Sequence, residues 1–174
     1  MPRAPDEAAA AREAAGPGAG RTAAAVRCGC TEPCVLDAAG VRADHRLHVL
    51  ATNPLARALY SEMFDDPACG ANTARFVFSS PAAPGFYAAW DSVAAVVVGQ
   101  LRVEAGHNPQ DSELTDLVGE LSTRSGLFSE LWAANDVHVW SQGTQDFRHP
   151  VAGDLELNYE SMELLGDSGP TMRS

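Results

Sequence analysis

Apolar and polar residues alternate most cleanly near the end of the chain. Leu155, Leu157 and Tyr159 fall on one side, and Glu156, Asn158 and Glu160 on the other. A period of two predicts a half-buried strand, because successive side chains of an extended backbone point to opposite faces. Upstream, Val137, Val139 and Ser141 alternate with His138 and Trp140. The Gln142-Gly143 pair and the stretch from Val151 to Asp154 carry turn residues. Together they predict two turns and an antiparallel meander of three strands, with one wet face and one face that needs cover.

The cover comes from a second period. Asn53 followed by Pro54 is an N-cap with proline at the first helical position. Leu55, Ala58, Leu59 and Met63 then share a face, so one helix is predicted to run to about Phe64 and to stop at Asp65-Asp66-Pro67. Cys69-Gly70 falls in the next loop, and Arg75 to Phe78 fits a strand or a helix equally well. Phe86, Trp90, Val93, Val97 and Leu101 recur at spacings of three and four, which predicts a long helix ending near Gly106. Its valines lower helix propensity. Burying each contributes roughly 1.5–3 kcal/mol, more than propensity differences of under about 1 kcal/mol. Asp111 or Ser112 caps the next helix, with Leu114, Leu117, Val118 and Leu121 on its face; Ser125 caps another, carrying Phe128, Leu131 and Trp132. Short strands are predicted at Val35-Leu36 and from Arg46 to Ala51, where Leu47 and Val49 alternate with His48 and Leu50. Strands, then helices, then strands give an α+β class with helices over one face of an antiparallel sheet.

Composition narrows the function. A chain of 174 residues is about one domain with tails. No apolar run reaches the roughly 20 residues of a membrane span, and the N-terminus lacks the apolar core of a secretory signal. A cytoplasmic location without membrane association is expected. The net charge is −11, yet residues 1–34 balance four Arg against four acids, so the surplus lies on residues 35–174. A body that acidic repels phosphate backbones, and nucleic-acid binding by this chain is not expected. There is no Lys and no Ile, and all twelve basic residues are Arg, the signature of a G+C-rich bacterial genome. Residues 1–32 are rich in Ala, Gly, Pro and Arg without an apolar stripe, so they read as a disordered tail. Cys28, Cys30 and Cys34 cluster as CGCTEPC, and Cys69 stands apart. A zinc site usually wants two spaced pairs, so reduced thiols are the simpler reading and no metal or other cofactor is expected.

Three segments carry a family resemblance: VLATNPLARALY from Val49 to Tyr60, LVGELSTRSGLFSELWAANDV from Leu117 to Val137, and FRHPVAGDLELNYESMEL from Phe147 to Leu164. In this order and spacing they resemble the ligand-binding domain of MmyB-like transcription regulators, over residues 33–165. The resemblance implies a PAS-like fold, a five-stranded antiparallel sheet with helices over one face. It also implies a small hydrophobic ligand of the fatty-acid class and, in family members, an N-terminal Xre-type helix-turn-helix that binds DNA. Residues 1–32 show no pair of capped helices. After Leu164, where the family continues into a strand rich in Val, Tyr and Thr, this chain reads GDSGPTMRS. The DNA-reading module and the final strand are therefore expected to be absent, with residues 166–174 a disordered tail.

A ligand site of this kind needs apolar lining and few polar anchors. The candidates are Leu50, Leu55, Leu59, Trp90, Val93, Val97, Leu121, Phe128, Trp132 and Phe147, set around a hollow between the Trp90 helix and the sheet. Helical spacing alone favours a plain core role for each; the resemblance implies that some of them line a pocket. His149 shares a strand face with Phe147 and can donate to a carboxylate head group, or bond to backbone; Arg148 takes the opposite face, towards an acidic neighbour. Asn53 is a helix cap before it is a ligand contact. For catalysis there is no nucleophile elbow, phosphate-cradling loop or metal-ligand pair. Ser125, His149 and Asp136 form a triad only on paper, so no enzyme is expected. The sequence thus reads as a ligand-sensing regulatory domain without its own DNA reader. The alternatives are a protein-interaction module that dimerises or pairs with another regulator, and a truncated remnant of such a regulator.

Overall fold

A computed structural model describes residues 38–134 and 142–161. The tail over 1–32, Val35-Leu36, the first predicted meander strand at 137–141 and the segment after Ser161 lie outside the described residues. Within them, a hairpin, seven helices and a second hairpin follow in order. The α+β class holds. The described strands form two separate two-stranded antiparallel sheets, not one.

Strands β1 (Val41–Ala43) and β2 (Val49–Thr52) pair with Val41 opposite Thr52 and Ala43 opposite Val49, across a bulge. The strand predicted from Arg46 begins only at Val49, because Leu47 is left-handed, with φ 61°, and its side chain is buried. Such a conformation costs about 1–2 kcal/mol in a residue with a Cβ. Burial of the leucine offsets it by roughly 1.5–3 kcal/mol. The turn is held by Asp44, whose Oδ1 accepts from the backbone N–H of Arg46 and His48 at 2.9 Å. Leu47 instead ties forward, its carbonyl accepting from Thr73 N at 3.0 Å.

Asn53 caps helix α1 (Pro54–Leu59) as the sequence predicts, its Oδ1 accepting from Ala56 N at 2.8 Å. The same side chain also accepts from Gly40 N at 3.1 Å and donates to the Ala38 carbonyl at 2.6 Å, so it clamps the segment leading into β1 to the helix. The single helix predicted to Phe64 is broken. At Tyr60 the backbone leaves helical geometry, α2 (Ser61–Asp65) starts anew, and the Tyr60 ring lies 6.0 Å from both Phe86 and Phe147. The ambiguous segment is helix α3 (Thr73–Ser79), capped by Asn72, whose Oδ1 accepts from Arg75 N at 3.0 Å.

Phe86 does not sit on the long helix. It ends a short α4 (Ala83–Phe86), and the chain runs extended through Tyr87 before α5 (Trp90–His107) begins. Helix α6 (Ser112–Arg124) is capped by Asp111, which accepts from Glu113 N and Leu114 N. Ser125 caps α7 (Gly126–Ala134), its Oγ accepting from Phe128 N at 3.2 Å.

Strands β3 (Gln142–His149) and β4 (Gly153–Glu160) pair in register from Gln142 opposite Glu160 to His149 opposite Gly153. The predicted turn at Gln142-Gly143 is therefore strand. Its glycine faces Tyr159 across the ladder, and a Cβ there would meet that ring at 3.2 Å. The glycine makes room for an aromatic neighbour instead of turning the chain. The turn near Val151 is as predicted, with Gly153 at φ 75° entering β4. The hairpin is fastened to the helices by a bridge between Tyr87 and Phe147 and by Ala88 N donating to the Asp146 carbonyl at 3.0 Å. One apolar cluster runs through the described residues, with Phe76, Phe86, Phe128, Leu101, Leu114 and Leu121 sealed from water. No described helix is long and apolar enough to cross a membrane.

Candidate ligand-binding site

A half-open cavity of about 200 Å³ lies where α5 faces both hairpins. From α5 come Val93, Val96, Val97 and Gln100, at spacings of three and four, which makes one stripe of a helix. Val41 and Val49 come from the first hairpin, Gln145 and Phe147 from β3, and Tyr159 from β4. Tyr60, Met63, Thr73 and Tyr87 complete the wall, with Ser92, Glu160 and Ser161. Met63, Tyr87, Val97 and Phe147 are buried, whereas Ser92 and Glu160 are exposed, so the cavity runs from a closed end to solvent.

The closed end is aromatic. The Phe147 ring lies 5.3 Å from Phe86 and 5.6 Å from Tyr87, and Tyr60 meets it edge-on. Burial, and then the neighbouring Tyr60, pushes the Tyr87 phenol well above its ordinary value of 10. Burial also raises Tyr159. Both hydroxyls are therefore neutral at ordinary pH and act as donors as well as acceptors. Among the described lining residues there is no Arg, Lys or His.

The sequence-predicted residues fall into three groups. Val93, Val97 and Phe147 come together in the wall. Leu59, Leu121 and Phe128 are buried in the core cluster. Trp90 packs against that cluster and its Nε1 donates to the Val77 carbonyl at 3.0 Å, while Trp132 stacks on Phe128 at 5.6 Å with the Arg102 guanidinium 4.8 Å from its ring. Leu50 and Leu55 are 54% and 46% exposed. The hollow is thus beside Phe147, and the wall given above includes neither Trp90 nor Trp132.

His149 is fully engaged. Its Nδ1 accepts from Val151 N and Ala152 N at 3.2 and 3.0 Å, which leaves the proton on Nε2, and Nε2 donates to the Ala58 carbonyl at 3.0 Å. Arg148 stands on the exposed face, opposite Asp154 in the ladder. Of the paper triad, Ser125 caps α7, His149 holds backbone, and Asp136 lies outside the described residues. Cys69 is buried and donates to Asp66 at 3.3 Å; burial first, then Asp66, pushes its thiol up to about 12. Among the described residues no three His, Cys, Asp or Glu side chains gather as metal ligands.

Sequence reading missed Tyr60, Tyr87, Val96, Gln100 and Tyr159. Two signals were available. Val93, Val96, Val97 and Gln100 form a stripe of their own, and Tyr159 is the last inward residue of the alternating strand. Nothing local marks Tyr60 or Tyr87, which reach the cavity through a helix break and an extended link.

The family model of the MmyB-like transcription regulator ligand binding domain matches residues 37–173. The chain belongs to this family. No curated protein and no solved structure matches it.

Proposed function

We propose that this MmyB-like domain senses a small hydrophobic molecule in the cavity between α5 and the two hairpins, and so serves transcription regulation. The observation that carries the reading is the wall itself. Val93, Val96 and Val97 face Phe147 and Tyr159 across unfilled space, in a chain that belongs to a ligand-binding family. Sealed cores close such gaps, because unfilled volume forfeits dispersion contacts. An aliphatic chain of the fatty-acid type matches this wall. The placement of a site between helices and antiparallel strands also accords with a PAS-like plan. The reading is of binding and not turnover: the described groups lining the cavity are aliphatic and aromatic side chains, a thioether, phenols, hydroxyls, amides and one exposed carboxylate.

Native mass spectrometry of protein purified from cells, with thermal shifts on adding C10–C18 aliphatic amphiphiles, tests it. The expected result is a lipid-sized adduct or a shift of several degrees, both lost in Val97→Trp, whose indole fills the cavity. A Val97→Trp variant that keeps the full shift would overturn the site, and the absence of any adduct or shift would overturn the function.

A further inference from the structure

We infer that the ligand of this pocket carries an uncharged polar group, and that the Tyr87 hydroxyl donates to it; this rests on the cavity being a ligand site. Tyr87 is 4% exposed, its ring fixed by Phe76, Phe86 and Phe147 at 6.1, 4.9 and 5.6 Å. It lines the cavity, and among the described residues its hydroxyl has no hydrogen-bond partner. The hydroxyl opens onto the cavity, so its partner arrives through the cavity, as water in the free protein and as a ligand group that displaces that water in the complex. Gln100 and Gln145 add amides along the same wall, each with a donor and an acceptor.

Charge selects the class. A carboxylate drawn into this wall finds no cation among the described lining residues, and the nearby Glu160 has the same sign. The desolvation of such an ion is then not offset by pairing with any described lining residue. Among the described lining residues an ammonium meets Glu160 alone, which is exposed, so its attraction works through water and salt. An amide, alcohol or ester loses far less on leaving water, and its oxygen can accept from Tyr87 while its aliphatic part lies on Val93, Val96 and Val97.

Calorimetric titration of the full chain at pH 8 with a matched set decides it: decanamide, decanol, decanoate and decylamine, each below its micelle concentration. Decanamide or decanol should bind at least about tenfold tighter than either charged analogue, and Tyr87→Phe should cost decanamide about tenfold, close to one hydrogen bond to a neutral acceptor. Tyr87→Phe should not lower the melting temperature of the free protein, since the ring stays and a hydroxyl without a protein partner goes. Decanoate binding as tightly as decanamide would overturn the inference, and so would decanamide affinity untouched by Tyr87→Phe. Should the phenylalanine variant not fold, the ranking of the four compounds on the unaltered protein decides alone. If none of the four binds, the pocket reading fails with it, an outcome distinct from charged compounds binding best.

Discussion

Helix α5 carries two apolar stripes that differ in what they meet. Ala94, Val98 and Leu101, at spacings of four and three, are sealed in a core where α5 packs on α3, α4, α6 and α7. One step around the helix, Val93, Val96, Val97 and Gln100 look onto a hollow. Both stripes are mainly aliphatic, so side-chain polarity does not separate them. What separates them is the opposing surface. The core stripe belongs to a helix-on-helix assembly whose Phe76, Phe78 and Phe128 fill the gaps, while the other stripe faces two short hairpins whose valines and tilted aromatics do not. A helix that is apolar around much of its girth can therefore meet two surfaces, one filled and one open.

The largest expected effect lies on the filled stripe. Val98 is 1% exposed. Val98→Ala removes two carbon groups worth about 0.8 kcal/mol each on transfer, and the void left behind raises the loss to about 2–3 kcal/mol. Urea denaturation at pH 7 measures this directly. A loss below about 1 kcal/mol would show that the filled stripe is as loosely met as the other.

The next effect concerns how the first hairpin, one wall of the hollow, is held to the helices. Asp111 caps α6 and also receives His45 Nε2 at 2.6 Å and Arg46 Nε at 3.0 Å from the β1–β2 turn; Arg46 reaches Glu113 as well. The His45 hydrogen bond first, then Arg46 and the α6 backbone, hold the Asp111 carboxyl well below the usual carboxylate range against the opposing effect of burial. The folded state thus prefers the ionised form. Its stabilisation is complete above the unfolded value near about 4 and is lost as pH falls below that. Asp111→Ala should cost about 0.5–2 kcal/mol at pH 7 through the cap. Asp111→Asn should cost less, because its amide oxygen still accepts, and it should flatten the fall in stability between about pH 4 and 2. Equal acid sensitivity in Asp111→Asn and the unaltered protein would remove this carboxylate from the clamp.

What the sequence disclosed follows the range of the forces. Caps are local, and Asn53, Asp111 and Ser125 were all legible, because each bonds to N–H groups within three residues. The alternation of Leu155, Leu157 and Tyr159 was legible for the same reason. The break at Tyr60, the left-handed Leu47 and the split of Phe86 from α5 were not, since each is imposed by contacts distant in sequence. Gly143 misled because a glycine reads as a turn until its cross-strand partner is known. At the cavity, periodicity places Val93 and Val97 on the helix that lines it, but it merges two stripes into one. Phe86 and Leu101 were thereby grouped with residues that face elsewhere. Periodicity reports which side of a helix is apolar; it does not report whether that side is filled.

The smallest effect cuts most directly between the stripes. Val96 lies on the same helix as Val98, two residues away, and is the same residue type. It is half-buried and lines the hollow. Its methyl groups meet empty space and solvent over part of their surface, so deleting them forfeits fewer dispersion contacts and leaves no new closed void. Val96→Ala should therefore cost under about 1 kcal/mol, well short of Val98→Ala, although helix propensity shifts equally in both. The shared change in propensity cancels from the comparison, and only the surroundings remain. Bound ligand should then widen the penalty at Val96 and leave that at Val98 alone, because the guest supplies the contacts that the free protein lacks. Equal losses at the two positions in the free protein would mean that the hollow is filled, and the division of α5 into a core stripe and a guest stripe would fall.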